Sequence, residues 1–146
     1  MPDNYCWGCG RDNEAGLALK STWDGESSIA TWMPRPEHAA GPRHFLNGGV
    51  IATLLDCHGV GTAIADAYRG EDREIGSEPE IWYATASMTV EYLRPTPIDE
   101  PVSLRGEIVH RDGRRTVVAC TLSSGGKERG RARVEAVRVP AGWKRD

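Results

Sequence analysis

One stretch of this chain limits its possible folds more than any other: residues 48–68, the only segment long and apolar enough to be a buried helix. At about 1.5 Å per residue it would run roughly 30 Å, the width of a small domain. Val50, Ile51, Leu54, Leu55, Val60 and Ile64 alternate with small residues (Ala52, Gly59, Gly61, Ala63, Ala65 and Ala67), so the segment is apolar nearly all round. Such a helix is covered on most faces rather than laid on a surface. Asn47 is a favoured N-cap, and Gly48-Gly49 just inside lets another group approach the backbone closely. Free amides at a helix start suit an oxygen that gains negative charge. Asp56 lies two turns further in, where it can cap nothing, and an acid there calls for a function.

The flanking sequence is read as strands. Gly16 to Trp23 and Ser28 to Met33 form an expected hairpin about Asp24-Gly25-Glu26-Ser27. After the helix a charged loop, 69–80, is expected to be solvated and mobile. Then a period of two marks Trp82 to Leu93, Val102 to His110, Thr116 to Ser123 and Gly130 to Val139 as a four-strand meander. One helix cannot cover both faces of six strands. The expected fold is α+β: a curved antiparallel sheet of about six strands wrapped around one long central helix, its remaining apolar face covered by a second subunit. Residues 1–146 make one domain, with 1–15 as an N-terminal arm anchored by Trp7.

A net charge of −3 and a pI of about 5.8 provide no electrostatic case for nucleic acid or anionic membrane as a partner. No run reaches the roughly 18 apolar residues expected of a membrane span, and the N-terminus lacks a signal-peptide plan, so a cytoplasmic location is expected. Cys6-x-x-Cys9 has metal-ligand spacing, but Cys57 and Cys120 offer no second pair in sequence. The expectation is four thiols and no metal, with Cys57 and Cys120 buried. His58 sits about 200° from Asp56 around a ~3.6-residue turn and is read as a core or interface histidine.

Four pieces of sequence carry a family resemblance: Cys6-Trp7-Gly8-Cys9-Gly10 with Asn13 and Gly16-Leu17; Asn47-Gly48-Gly49 with Asp56; Met88 to Pro95; and Gly113-Arg114-Arg115. Together the chain resembles the hotdog-fold acyl-CoA thioesterases, most closely the PaaI-like group. The resemblance implies that Asp56 is general base or nucleophile, that the Gly48 amide polarises a thioester carbonyl, and that Asn47 helps to place it. It also implies a site at a dimer interface, with Gly48 and Asp56 from different subunits, and Thr85 orienting the water. The group usually has His where Asn47 stands; Asn donates a hydrogen bond but shuttles no proton.

Gly49, His44, Arg94, Arg114 and Arg115 are the substrate-binding candidates, the arginines for coenzyme A phosphates. No cofactor is expected, coenzyme A being part of the substrate. Self-association as dimer or tetramer is expected. Two other readings stand beside hydrolysis: a non-catalytic acyl-CoA binding or sensing domain, and a hotdog hydratase or dehydratase using His44 with an acid.

Overall fold

The computed structural model describes residues 1–145. Its order is β1 (Thr22–Asp24), β2 (Ser27–Trp32), α1 (Gly48–Gly70), β3 (Tyr83–Tyr92), β4 (Val102–Asp112), β5 (Arg115–Ser124) and β6 (Lys127–Arg138). All strand pairs are antiparallel, in one six-stranded sheet ordered β1-β2-β4-β5-β6-β3. With α1 packed on this sheet, the expected hotdog architecture is the observed one.

The tight connections are set by glycines at positive φ. Gly25 (φ 64°), Gly113 (58°) and the pair Gly125-Gly126 (57° and 71°) turn β1–β2, β4–β5 and β5–β6 respectively. β4, β5 and β6 therefore form a true meander. β3 does not join it: the strand crosses to the far edge and pairs with β6, from Tyr83↔Arg138 to Tyr92↔Gly130. Its connection to β4, through Arg94-Pro95-Thr96-Pro97, is a crossover rather than a hairpin.

α1 buries Val50, Ile51, Leu54, Leu55, Ala63, Ile64 and Tyr68 against Leu104, Val118, Leu122, Val134 and Ala136 of the sheet. A Cβ at Gly59 would stand 2.7 Å from Val134 Cγ2, so the sheet presses on the helix backbone there; at Gly61 it would meet nothing within 4 Å. Contrary to the sequence expectation, α1 does reach the length and apolarity of a membrane-crossing segment. The most apolar stretch is 61% buried within the fold, which accounts for its composition.

The N-terminal arm is a series of turns, not a helix, and Trp7 is 45% exposed rather than its anchor. Leu17 and Leu19 are the buried residues here, tied by Leu17 N–H to Trp7 O (2.7 Å) and Leu19 N–H to Gly8 O (3.0 Å). These bonds take up residues expected to extend the first strand, so β1 is three residues long. The loop after α1 is likewise held. Arg73 donates to Ser77 O at 2.8 Å and stacks 5.0 Å from the Tyr68 ring, and Tyr68 Oη donates to Ser77 O.

Candidate active site

Asn47 caps α1 as its residue type predicts. Its Oδ1 accepts from Gly49 N (2.7 Å) and Val50 N (3.2 Å), which engages the Gly49 amide. The Gly48 amide donates to nothing among the described residues and is half-buried. One free N–H at the positive end of a 23-residue helix is what the cap leaves behind. Tyr92, which sequence reasoning passed over, lies across this point. Its hydroxyl donates to Gly48 O at 2.8 Å, and its ring covers the position where a Gly48 side chain would be. Only its place at the end of a strand, opposite a helix start, could have marked it.

Asp56 is half-buried on the open face of α1. Thr85 Oγ1 donates to Asp56 Oδ1 at 2.6 Å, next to the register irregularity between Thr85 and Ser87. A hydrogen bond to one carboxylate oxygen fixes the group and leaves the other oxygen free to accept a proton. Tyr92 at the end of β3 meets Gly48, and Thr85 near its start meets Asp56, so α1 and β3 run in opposite directions. Within one chain Gly48 and Asp56 are separated by about 12 Å of helix rise.

A groove of about 810 Å³ runs along α1 past Asp56, Val60, Gly61 and Ile64, with Trp82, Tyr83 and Thr85 on its far wall. It is apolar along the helix and polar at Asp56, a shape suited to a chain bearing one reactive polar group.

The other candidates are scattered. His44 is exposed in the loop before α1, its carbonyl accepting from Ile98 N at 3.0 Å, and it makes no bond to Asp56 among the described residues. Arg94 donates to Glu128 O at 3.1 Å, near the Tyr92 end of β3. Arg114 donates to Arg138 O at 3.0 Å and Arg115 pairs with Glu135, both toward the Tyr83 end. One chain does not bring these three arginines together.

His58 is fully buried, as expected, with Nδ1 2.7 Å from Ser21 Oγ and Nε2 3.0 Å from Ser28 Oγ. Burial holds its pKa below the usual histidine value. Cys120 is also buried, and burial pushes its thiol up to about 12. Cys57 is buried too, but it is not alone: Cys6, Cys9 and Cys57 converge, with all three Sγ atoms within 4.8 Å of one another. Hydrogen bonding with Cys57 lowers the Cys9 thiol to about 6, against the opposing effect of burial. That same bond, with burial, pushes Cys57 up.

The arrangement of sheet and helix defines a hotdog domain. The thioesterase superfamily profile matches residues 44–130, and the chain belongs to that family. A thioesterase superfamily protein from Shewanella loihica PV-4 is similar at 38% identity, over 84% of this chain and 91% of that one, with a TM-score of 0.67. The PaaI protein of the E. coli phenylacetic acid degradation operon has the same fold at 17% identity, over 84% of each chain (TM-score 0.63). So does a thioesterase from Pseudomonas aeruginosa at 20% identity, over 85% of this chain and 83% of that one (TM-score 0.67). No curated protein matches the sequence.

Proposed function

We propose that this protein is a PaaI-like acyl-CoA thioesterase that hydrolyses its substrate to a free acid and coenzyme A. The observation that carries this reading is the Thr85–Asp56 hydrogen bond, which orients a carboxylate on a groove wall where no structural role needs one. Asp56 acts as general base toward water or as nucleophile toward the thioester carbonyl. The Gly48 amide receives the developing oxyanion, with the side-chain Nδ2 of Asn47 at its side. The acyl group lies in the groove along α1.

The two halves belong to different subunits. β3 is a ten-residue edge strand with a largely exposed pattern and one unpaired side, a surface that natural sheets keep covered. Pairing two copies of β3 antiparallel about a two-fold axis brings the Tyr92 end of one against the Tyr83 end of the other. Because α1 runs opposite to β3, this sets Gly48 of one protomer toward Asp56 of its partner. The arginines, scattered in one chain, gain the same relation: Arg94 of one protomer approaches Arg114 and Arg115 on the other, where coenzyme A phosphates would bind.

The test is thiol release from a panel of acyl-CoA esters. Asp56→Ala should lower turnover by roughly 10²–10⁴-fold with an unchanged circular dichroism spectrum. Full activity in that variant would overturn the catalytic role. Tight ester binding with no thiol released by the unaltered protein would make it a sensing domain instead.

A further inference from the structure

We propose that Cys6, Cys9 and Cys57 form a trithiolate site for a Zn²⁺ ion, which staples the N-terminal arm to α1 beside Asp56. Sulfur ligands about 2.3 Å from a tetrahedral zinc ion lie about 3.8 Å apart. The Cys6 and Cys57 sulfurs are 3.6 Å apart, and all three lie within 4.8 Å of one another, so small side-chain adjustments complete the geometry.

The backbone is built around this convergence. Cys6 and Cys9 sit in one turn, closed by Gly10 N–H donating to Cys6 O at 2.8 Å. The turn is fixed to the body by the Trp7–Leu17 and Gly8–Leu19 bonds. Gly8 between the two cysteines rests so closely on the helix that a Cβ would collide with Cys57 Sγ and stand 2.8 Å from Thr53 Cγ2. Any other residue there would push the Cys-x-x-Cys turn away from the third thiol. Asn4 adds support, aiming Nδ2 at Cys9 Sγ (3.8 Å) while its Oδ1 accepts from Cys6 N at 3.1 Å. Donors that orient ligand sulfurs are a regular part of metal sites.

Three soft thiolates favour zinc over the hard cations magnesium and calcium. Each ligating thiol gives up its proton to solvent and nothing is oxidised or reduced. A disulfide would use two of the sulfurs and strand the third, whereas one ion engages all of them. With three protein ligands, the fourth position is open to water, on the groove that Asp56 also lines.

The experiment uses the full chain, reduced and stripped of metal under anaerobic conditions. It should take up one Co²⁺ per chain, with a thiolate-to-cobalt charge-transfer band in the near ultraviolet that one equivalent of Zn²⁺ abolishes. Cys6→Ser and Cys9→Ser should each weaken Zn²⁺ binding by more than the roughly 100-fold typical of losing a supporting residue, whereas Cys120→Ser should not. Cys6 is exposed, so its variant carries the test even if Cys57→Ser fails to fold. Absence of the band at excess Co²⁺, or equal binding by all variants, overturns the proposal. So does an unreduced chain that shows a disulfide by mass and takes up no metal after reduction.

Discussion

Thr85 holds Asp56 by a 2.6 Å hydrogen bond across 29 positions of sequence, joining the edge strand β3 to the open face of α1. Hydrogen bonds to charged groups are worth about 1.5–3 kcal/mol, so losing this one should cost roughly 10- to 100-fold in turnover. Thr85→Val keeps the shape and removes the donor; Thr85→Ser keeps the donor. Steady-state kinetics should show kcat falling in the first and largely retained in the second, and equal losses in both would assign Thr85 to packing alone.

Gly48 is the first helical residue, where proline is tolerated because its missing N–H would be unpaired anyway. Asn47 has φ −60° and ψ 135°, a conformation that accepts a following proline. A Cβ there would stand 3.4 Å from the Tyr92 ring, an ordinary contact, so Gly48→Pro should leave α1 intact and remove the free Gly48 amide, lowering kcat by about 10²–10³-fold.

Mixing Gly48→Pro with Asp56→Ala tests how the site is shared. If each site takes Gly48 from one protomer and Asp56 from the other, each mixed dimer has one unaltered site and one doubly altered site. After subunit exchange in an equimolar mixture half of the dimers are mixed, so activity should rise toward about one quarter that of the unaltered protein. No recovery, with exchange verified by native mass spectrometry, would place both groups of a site in one chain.

Two glycines in one helix should respond in opposite directions. Gly61→Ala points into open space and should raise stability by up to ~1 kcal/mol through helix propensity. Gly59→Ala drives a methyl into Val134 and should lower it by about 1–3 kcal/mol. Urea denaturation midpoints read both.

Buried His58 predicts the sign of a pH effect. Its pKa is depressed in the folded state, so below the unfolded value near 6.5 the unfolded chain binds more protons and stability falls as pH falls. His38, also depressed by burial, acts in the same direction. Urea midpoints should drop between pH 7.5 and 5.5, with a slope of at most ~1.4 kcal/mol per pH unit for each histidine. His58→Gln should flatten that slope, and an unchanged slope would assign it to other groups.

The helix, its cap, both tight hairpins of the meander and the acid at Asp56 were legible because each is written locally, in apolar runs and glycine turns. The strand order was not. A period of two tells which face a residue takes but not which strand lies beside it, so β3 read as part of the meander. Cys57 read as an isolated thiol because it lies 51 positions from Cys6 and only the fold joins them. Trp7 was misread for a different reason: size and apolarity mark a good anchor, but the backbone bonds of Leu17 and Leu19 had already set the arm's path. Tyr92 carried no signal of its own.

The placement of β3 also bears on when the site comes into being. Its only neighbour among the described strands is β6, residues 127–138, which follows it in the chain after β4 and β5. Until β6 is made, β3 has no sheet to join and nothing brings Thr85 onto Asp56. A chain halted before residue 127 would carry the acid, the glycine amide and most of the core, yet hold them as unconnected parts, because the strand that joins Thr85 to Asp56 is made after both.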